Sequence, residues 1–287
     1  MAAIEVNEPK HTIQESCTIL SFPRSTYYAT KNHKTSKQKL YHEYLKEQIT
    51  KIYHESHDIY GAPKIHYILN RQGDHASLKL VQKIMRELGL WSKTVRKWRP
   101  GPTTMQKLDQ FLNLIKQDFS ITSLNQKWVT DITYIYTVLD GWCYLSSIQD
   151  LHSKKIIAHC FSKNMTVDLC LQTLKAAFGT QKTSKEKLIL HSDMGSQYTS
   201  NMFNEALKQL EIKHSYSRKG CPYDNTTIES FHASLKKEEV YLHTYKNFES
   251  EKITLFQYIE GFYNNHRIHS SLNYLTPNMF EQRQFTA

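Results

Sequence analysis

The chain has 287 residues, 39% hydrophobic and 22% charged, ordinary proportions for a soluble globular protein and long enough for one large domain beside a small one. No apolar run approaches the roughly 18 to 20 residues that cross a bilayer, so no membrane role is expected, and Glu5, Glu8 and Pro9 interrupt what would otherwise be a signal peptide. The net charge of +10 is uneven: residues 1–107 carry 18 Lys and Arg against 9 Asp and Glu, and residues 108–287 carry 19 against 18.

A basic stretch ahead of a near-neutral one is what a DNA-anchoring module beside an enzyme would show, although solubility alone explains it equally well. The five cysteines (Cys17, Cys143, Cys160, Cys170, Cys221) are scattered, with no C-x-x-C pair. They suggest neither a disulfide framework nor a zinc site, and fit a reducing cytosol.

Residues 1–35 form an N-terminal segment with a short helix followed by a docked tyrosine pair, Tyr27 and Tyr28. From Ser36 a helical stripe of Leu40, Tyr44, Ile49, Ile52 and Tyr53 runs to about His57. Tyr60-Gly61-Ala62-Pro63 restarts the chain into a second helix with Ile65, Ile68 and Leu69 on one face. Gly73 punctuates it, and Ser77 caps a third helix carrying Leu80, Val81, Ile84, Met85 and Leu88. Three short helices over 36–92 suggest a small all-α helix-turn-helix-like DNA-binding domain, though any small helical bundle gives the same stripe. Lys79, Gln82, Lys83 and Arg86, on the polar side of the third helix, are candidates for DNA contact. A basic linker over 93–120 follows. In it Lys93, Arg96, Lys97 and Arg99 attract phosphates, and Trp98 either stacks on a base or packs on the protein.

Residues 121–287 read as one α/β domain. A strand around KWVTDITYIYTV turns at Gly141-Trp142 into a second strand, and Asp150 to Lys154 turn into a third over 156–161. A helix over 167–178, a strand over 188–191, a helix capped by Thr199-Ser200 and a strand over 212–217 come next. A turn at Gly220, Pro222 and Asp224-Asn225 then leads into a helix over 226–240. Asp224 is expected to cap that helix.

Three acids stand out. Asp193 ends the fourth strand. Glu229 lies in the first turn of the last of these helices, sharing a side with Lys236 and facing away from Ile228, Phe231 and Leu235. Asp131 interrupts a strand of Trp, Val, Ile and Tyr, where an unpaired charge is costly, so it meets either a basic partner or a metal. Asp140 and Asp150 sit at turns, where Asp is favoured for backbone reasons.

The motifs W-x-TDITYI, HSDxGSQYTS and SRKGxxYDNxxIESFxxxLKKE, with the closing Tyr263-Asn264, Arg267, His269, Leu272, Tyr274 and Pro277, resemble the catalytic core of insertion-sequence transposases in the retroviral-integrase-like superfamily. The branch they are most similar to is encoded in two overlapping frames, this chain resembling the second-frame product. The resemblance implies an RNase H-like core, a mixed five-stranded sheet flanked by helices, following the helix-turn-helix-like domain. It implies metal-dependent cleavage and strand transfer of element ends by in-line phosphoryl transfer. Asp131, Asp193 and Glu229 would hold two Mg²⁺ ions, or Mn²⁺ as substitute, roughly 3.5–4 Å apart. Asn225, Gln197 and His191 would support these ligands, and Lys236 would reach a phosphate near the scissile bond. His191 and His232 flank the site, but magnesium prefers oxygen. The implied partners are double-stranded DNA (terminal inverted repeats and target), further copies of the chain on that DNA, and an upstream-frame product, in the bacterial cytosol at the nucleoid. Met194 and Thr226 depart from the usual pattern without touching the three acids. A hydrolytic RNase H-like nuclease and a catalytically inactive DNA-binding regulator are the alternatives.

Overall fold

The computed structural model describes residues 12–31, 36–94, 112–115, 123–181, 188–217 and 225–286. Helix α1 (Ile13–Ile19) opens on a reciprocal cap between Thr12 and Glu15 and packs Cys17 against Tyr27 of α2 (Arg24–Lys31). Only one tyrosine of the expected pair is docked: Tyr27 is fully buried, while Tyr28 is exposed.

Helices α3 (Lys37–Glu55), α4 (Ala62–Gln72) and α5 (Leu78–Glu87) form the helical unit. Ser36 and Ser77 accept from the backbone amides of Lys39 and Leu80, satisfying donors that a helix start leaves open. Gly73 closes α4 at φ 95°, a left-handed conformation that costs glycine little. The buried stripe of α3 is Leu45, Ile49, Ile52 and Tyr53. Leu40 and Tyr44, expected in that stripe, are exposed. Leu45 lies four residues before Ile49 and in phase with the 3.6-residue repeat, whereas Tyr44 turns aside and donates from its hydroxyl to Asp74 at 3.3 Å.

The sheet consists of β1 (Lys127–Thr137), β2 (Gly141–Asp150), β3 (Ile156–Ser162), β4 (Ile189–Ser192) and β5 (Lys213–Tyr216), in the order β3-β2-β1-β4-β5. The first three strands are antiparallel neighbours, while β4 and β5 join β1 in parallel. Between them lie α6 (Val167–Thr180), a single turn Ser196–Thr199 and α7 (Asn201–Gln209). This is the mixed RNase H-like arrangement. The β1–β2 turn falls at Val138, Leu139 and Asp140, earlier than expected. Trp142 already pairs with Tyr136, and Gly141 takes the positive φ of 74°.

Two apolar cores flank the sheet. Trp128 and Leu190 pack with Leu174 and Phe203. Val129 and Ile135 pack with Ile228, Phe231 and Leu235 of α8 (Thr226–Glu238). The second core is continuous with Leu45, Ile65 and Ile84 of the helical unit. The C-terminal segment joins the two bodies. After α9 (Phe248–Phe256) and a wide π turn (Gln257–Tyr263), the Tyr60 hydroxyl donates to His266 O and accepts from Ile268 N, both at 3.0 Å. Tyr67 stacks on Tyr274 at 4.3 Å. Helix α10 (Pro277–Thr286) follows. Among the described residues no helix is long and apolar enough to cross a membrane.

Candidate active site

The parallel register of β1 and β4 matches Val129 with His191. Asp131 stands two residues beyond the last β1 position so paired, and Asp193 two beyond the last in β4. Asp193 is the first residue past β4, where the backbone turns into Gly195. From the other side α8 brings Glu229 in its first turn, where a negative charge suits the helix dipole. Ile228, Phe231 and Leu235 bury one side of α8, which orients Glu229, His232 and Lys236 away from that core.

Asp131 Oδ1 accepts from the amide of Ile132 at 2.8 Å, and its Oδ2 lies 3.4 Å from His232 Nδ1. Asp193 Oδ1 accepts from the amide of Gly195 at 2.9 Å. A Cβ on Gly195 would stand 3.0 Å from that oxygen and 3.4 Å from Gln197 Oε1, so glycine keeps the turn open and Gln197 stands beside Asp193. Glu229 makes no hydrogen bond or ion pair among the described residues.

The charges act on one another. Partial burial raises the proton affinity of Asp193, the Gly195 amide opposes that rise, and the Asp131 charge adds to it. Asp193 is exposed on its outer side, so burial there is shallow. Glu229 is likewise raised by burial, then by Asp131 and, more weakly, Asp193, with His232 opposing. Burial lowers Lys236, and Asp131 holds it partly up. Its ammonium rests 4.3 Å above the Tyr134 ring, a contact the sequence reading missed. Alternation along β1 was the available signal, but β1's open edge beyond Val129 was not legible. Tyr198, also missed, is buried beneath the site with its hydroxyl 3.2 Å from Thr130 Oγ1.

The donor set is all oxygen, which suits a hard divalent cation. Among the described residues no group of three His, Cys, Asp or Glu stands at metal-holding spacing. Asp131 and Asp193 instead each turn one oxygen onto a nearby amide. The residues thus fit such an ion in the chemistry of their donors, not in the spacing they take here.

The supporting candidates take distinct places. His191 is fully buried, its Nδ1 and Nε2 engaged by Ser215 and Ser217 hydroxyls at 2.8 and 2.9 Å, so it braces β4 against β5 just before Asp193. Asn225, rather than Asp224, is the N-cap of α8, and its side chain makes no cap bond. Asp224 lies outside the described residues. Asp140 pairs with Lys163 at 2.7 Å, and Asp150 accepts from the amides of Asn125, His152 and Ser153. Asp140 lies in the β1–β2 turn, and Asp150 ends β2 with its carboxylate holding the turn that follows. Lys79, Lys83 and Arg86 are exposed on α5 opposite buried Val81, Ile84 and Met85. Lys93 is exposed but tied to Asp58. Arg96, Lys97, Trp98 and Arg99 lie outside the described residues.

Models of the integrase core domain match residues 122–222 and 210–277, and a helix-turn-helix-like domain model matches 41–98. The molecule is therefore an integrase-type core with a helix-turn-helix-like module ahead of it. Transposase InsF for insertion sequence IS3A of Escherichia coli is 34% identical over 282 residues, 98% of this chain and 97% of that one. The transposase for insertion sequence element IS904 of Lactococcus lactis is 36% identical over 252 residues, 88% and 98% of the two chains. The catalytic domain of Mos1 mariner transposase overlays loosely, with a TM-score of 0.42 at 16% identity over 48% of this chain and 71% of that one. The chain belongs to the family of insertion-sequence transposases. It is an enzyme of the transposase and integrase class that acts on DNA.

Proposed function

We propose that the crevice between β1, β4 and α8 cleaves DNA at insertion-sequence ends and joins the freed 3′ ends to a target, with Asp131, Asp193 and Glu229 as its catalytic carboxylates. The observation that carries this reading is their convergence. Three oxygen donors come from three separate elements, the Asp131 charge adds to the rise of both Asp193 and Glu229, and no cation is paired with Glu229 among the described residues. Such a cluster costs stability unless it is there to bind a cation.

The carboxylates would hold two Mg²⁺ ions, with Mn²⁺ as substitute. Such ions, when bound, make water or a hydroxyl a better nucleophile and stabilise the leaving oxygen of an in-line displacement. The chain's own groups do the placing. Asp131 is fixed by pairing on both sides of its strand start, Asp193 by the Gly195 turn, and Glu229 by a helix seated on the core. Lys236, held over Tyr134, would meet a phosphate oxygen beside the carboxylates. Gln197 and Asn225 support the ligands from either side, and His191 steadies the strand that presents Asp193. No covalent protein intermediate is required, so no nucleophilic Ser or Tyr is invoked.

Residues 36–92 would anchor the element's terminal repeats through Lys79, Lys83 and Arg86. Residues 93–120 would track the backbone through Lys93, Arg96, Lys97, Trp98 and Arg99, and 121–287 would perform the chemistry. Several copies would assemble on duplex DNA in the bacterial cytosol, with an upstream-frame product adding contacts.

Asp193→Asn and Glu229→Gln, assayed on oligonucleotides bearing the element's ends, are expected to lose strand joining by about 10³-fold or more. Several kcal/mol of charge stabilisation are at stake, and each 1.4 kcal/mol is tenfold. Retained joining in either variant removes the assignment. Cutting without joining points to a hydrolytic nuclease, and products unaffected by Mg²⁺ point to a regulator.

A further inference from the structure

On the side of α8 away from the carboxylates lies a cavity of about 410 Å³ that the reaction above leaves unused. Thr227 and Ser234 line it. They are offset by two residues from Glu229 and Lys236, about 200° around a helix of 3.6 residues per turn. The helical unit contributes Lys64 to its lining, and the β2–β3 turn contributes Lys154. Three parts of the chain far apart in sequence thus meet around one opening.

Its charges are unbalanced. Lys64 is half-buried with its ammonium 4.4 Å over the Tyr60 ring, and Lys154 is also half-buried. Neither makes an ion pair among the described residues. The acids nearby are already committed: Glu238 is held by Arg267 at 2.7 and 2.8 Å, and Asp150 accepts from three backbone amides. Burying an ammonium without an anion is costly. Burial, together with the Arg267 charge, lowers Lys64 to about 7, and burial lowers Lys154 as well.

Local rules are broken at both positions. Lys64 stands in the first turn of α4, where the helix dipole disfavours a cation. Lys154 is held at φ 60°, a left-handed conformation that residues other than glycine seldom adopt. Two further polar groups can take another partner. Ser234 Oγ accepts from Arg267 Nη2 at 3.3 Å, which leaves its O–H to donate. Gln149, 1% exposed, lines the cavity with its Oε1 unpartnered among the described residues, a place for a bridging water.

We propose that this cavity is a subsite for one phosphate of the DNA backbone, with Lys64 and Lys154 supplying the charge and Thr227 and Ser234 the hydroxyl donors. The inference rests on the reading of DNA as substrate. It gives α8 two roles, carboxylate and Lys236 on one side and a backbone anchor on the other. DNA held there crosses the seam between the helical unit and the core, so binding would fix the two bodies together at the site of chemistry.

The test is lysine acylation of the full chain in metal-free buffer, read residue by residue by mass spectrometry. The arms are no addition, inorganic phosphate, and duplex DNA carrying the element's end. Lys64 and Lys154 are expected to react in the free protein and to be shielded by the duplex well beyond any shielding by phosphate. Lys64→Gln and Lys154→Gln are each expected to lower the slope of log affinity against log salt by roughly one, with Lys64→Arg restoring it. Shielding of Lys83 without shielding of Lys64 and Lys154 overturns the proposal, since DNA then binds elsewhere. Shielding by inorganic phosphate but not by the duplex also overturns it, and identifies a small-anion site. If DNA shields no lysine at all, the reading of DNA as substrate falls first and takes this subsite with it. Retained joining by Asp193→Asn touches only the carboxylates.

Discussion

Two glutamates of α8, nine residues apart, have opposite fates. Glu238 is buried and held by Arg267 through Nε at 2.8 Å and Nη2 at 2.7 Å, and it accepts from the Tyr258 hydroxyl at 2.7 Å. Burial alone would raise its proton affinity, but the guanidinium's bonds and charge outweigh that and lower it. Glu229 opens to solvent, has no such partner among the described residues, and is raised. Where the acid builds the fold it is given a fork-shaped cation to pair with. Where it is proposed to serve the site it is left facing like charges. The direction of the shift separates the two roles on a single helix.

The largest expected effect breaks the satisfied end. Arg267→Ala leaves Glu238 as a buried charge without its partner, at a cost of about 3–5 kcal/mol in denaturant unfolding. A loss below about 1 kcal/mol would show that this pair does not clasp the C-terminal segment to α8.

At the bare end the sign reverses. Asp193 and Glu229 have folded-state pKa values above their unfolded ones. Their protonation therefore contributes stability that is fully present below the unfolded carboxylate range and is lost as pH rises through the folded values. Without metal, Glu229→Gln should therefore raise the melting temperature at pH 7 and leave it nearly unchanged at pH 3. Calorimetric Mg²⁺ affinity of the unaltered chain should weaken on acidification, beginning above the ordinary carboxylate range. An affinity that stays flat until the ordinary carboxylate range is reached would contradict the shared site.

Glu251 sharpens the contrast from a third side. It is fully buried in α9, neither oxygen has a partner among the described residues, and burial with the Glu239 charge pushes it to about 8. Its folded value again exceeds the unfolded one, so stability should drain away between about pH 4.5 and pH 8, and Glu251→Gln should flatten that loss. Parallel curves for the two proteins would refute it. The smallest effects belong to the surface. Lys83→Ala and Arg86→Ala should change stability by no more than about 0.5 kcal/mol while each lowers the salt slope of DNA binding by roughly one.

Much of this was legible in residue order. Ser77 and Ser200 announced helix starts and cap as expected, because a cap is settled within four residues, and Ser36, read only as the point where a helix begins, caps as well. Asp131 stood out because a strand of Trp, Val, Ile and Tyr has no local use for a charge. The mixed sheet followed from the succession of strands and helices. Less survived where neighbours along the chain were not neighbours in space. The stripe of α3 slipped from Tyr44 to Leu45 because two phases of one repeat both look apolar, and only packing against α4 and α5 chooses between them.

Sequence alone named the candidate residues for the chemistry and their local frame, since propensity, capping and periodicity act over a few residues. Tertiary structure decided what each charge meets. Arg267 finds Glu238 across 29 positions, Lys236 finds Tyr134 across the open edge of β1, and Lys64, Lys154 and Thr227 gather around one cavity. Electrostatic energy depends on distance through space and on the water excluded between groups, and neither quantity is written along the chain.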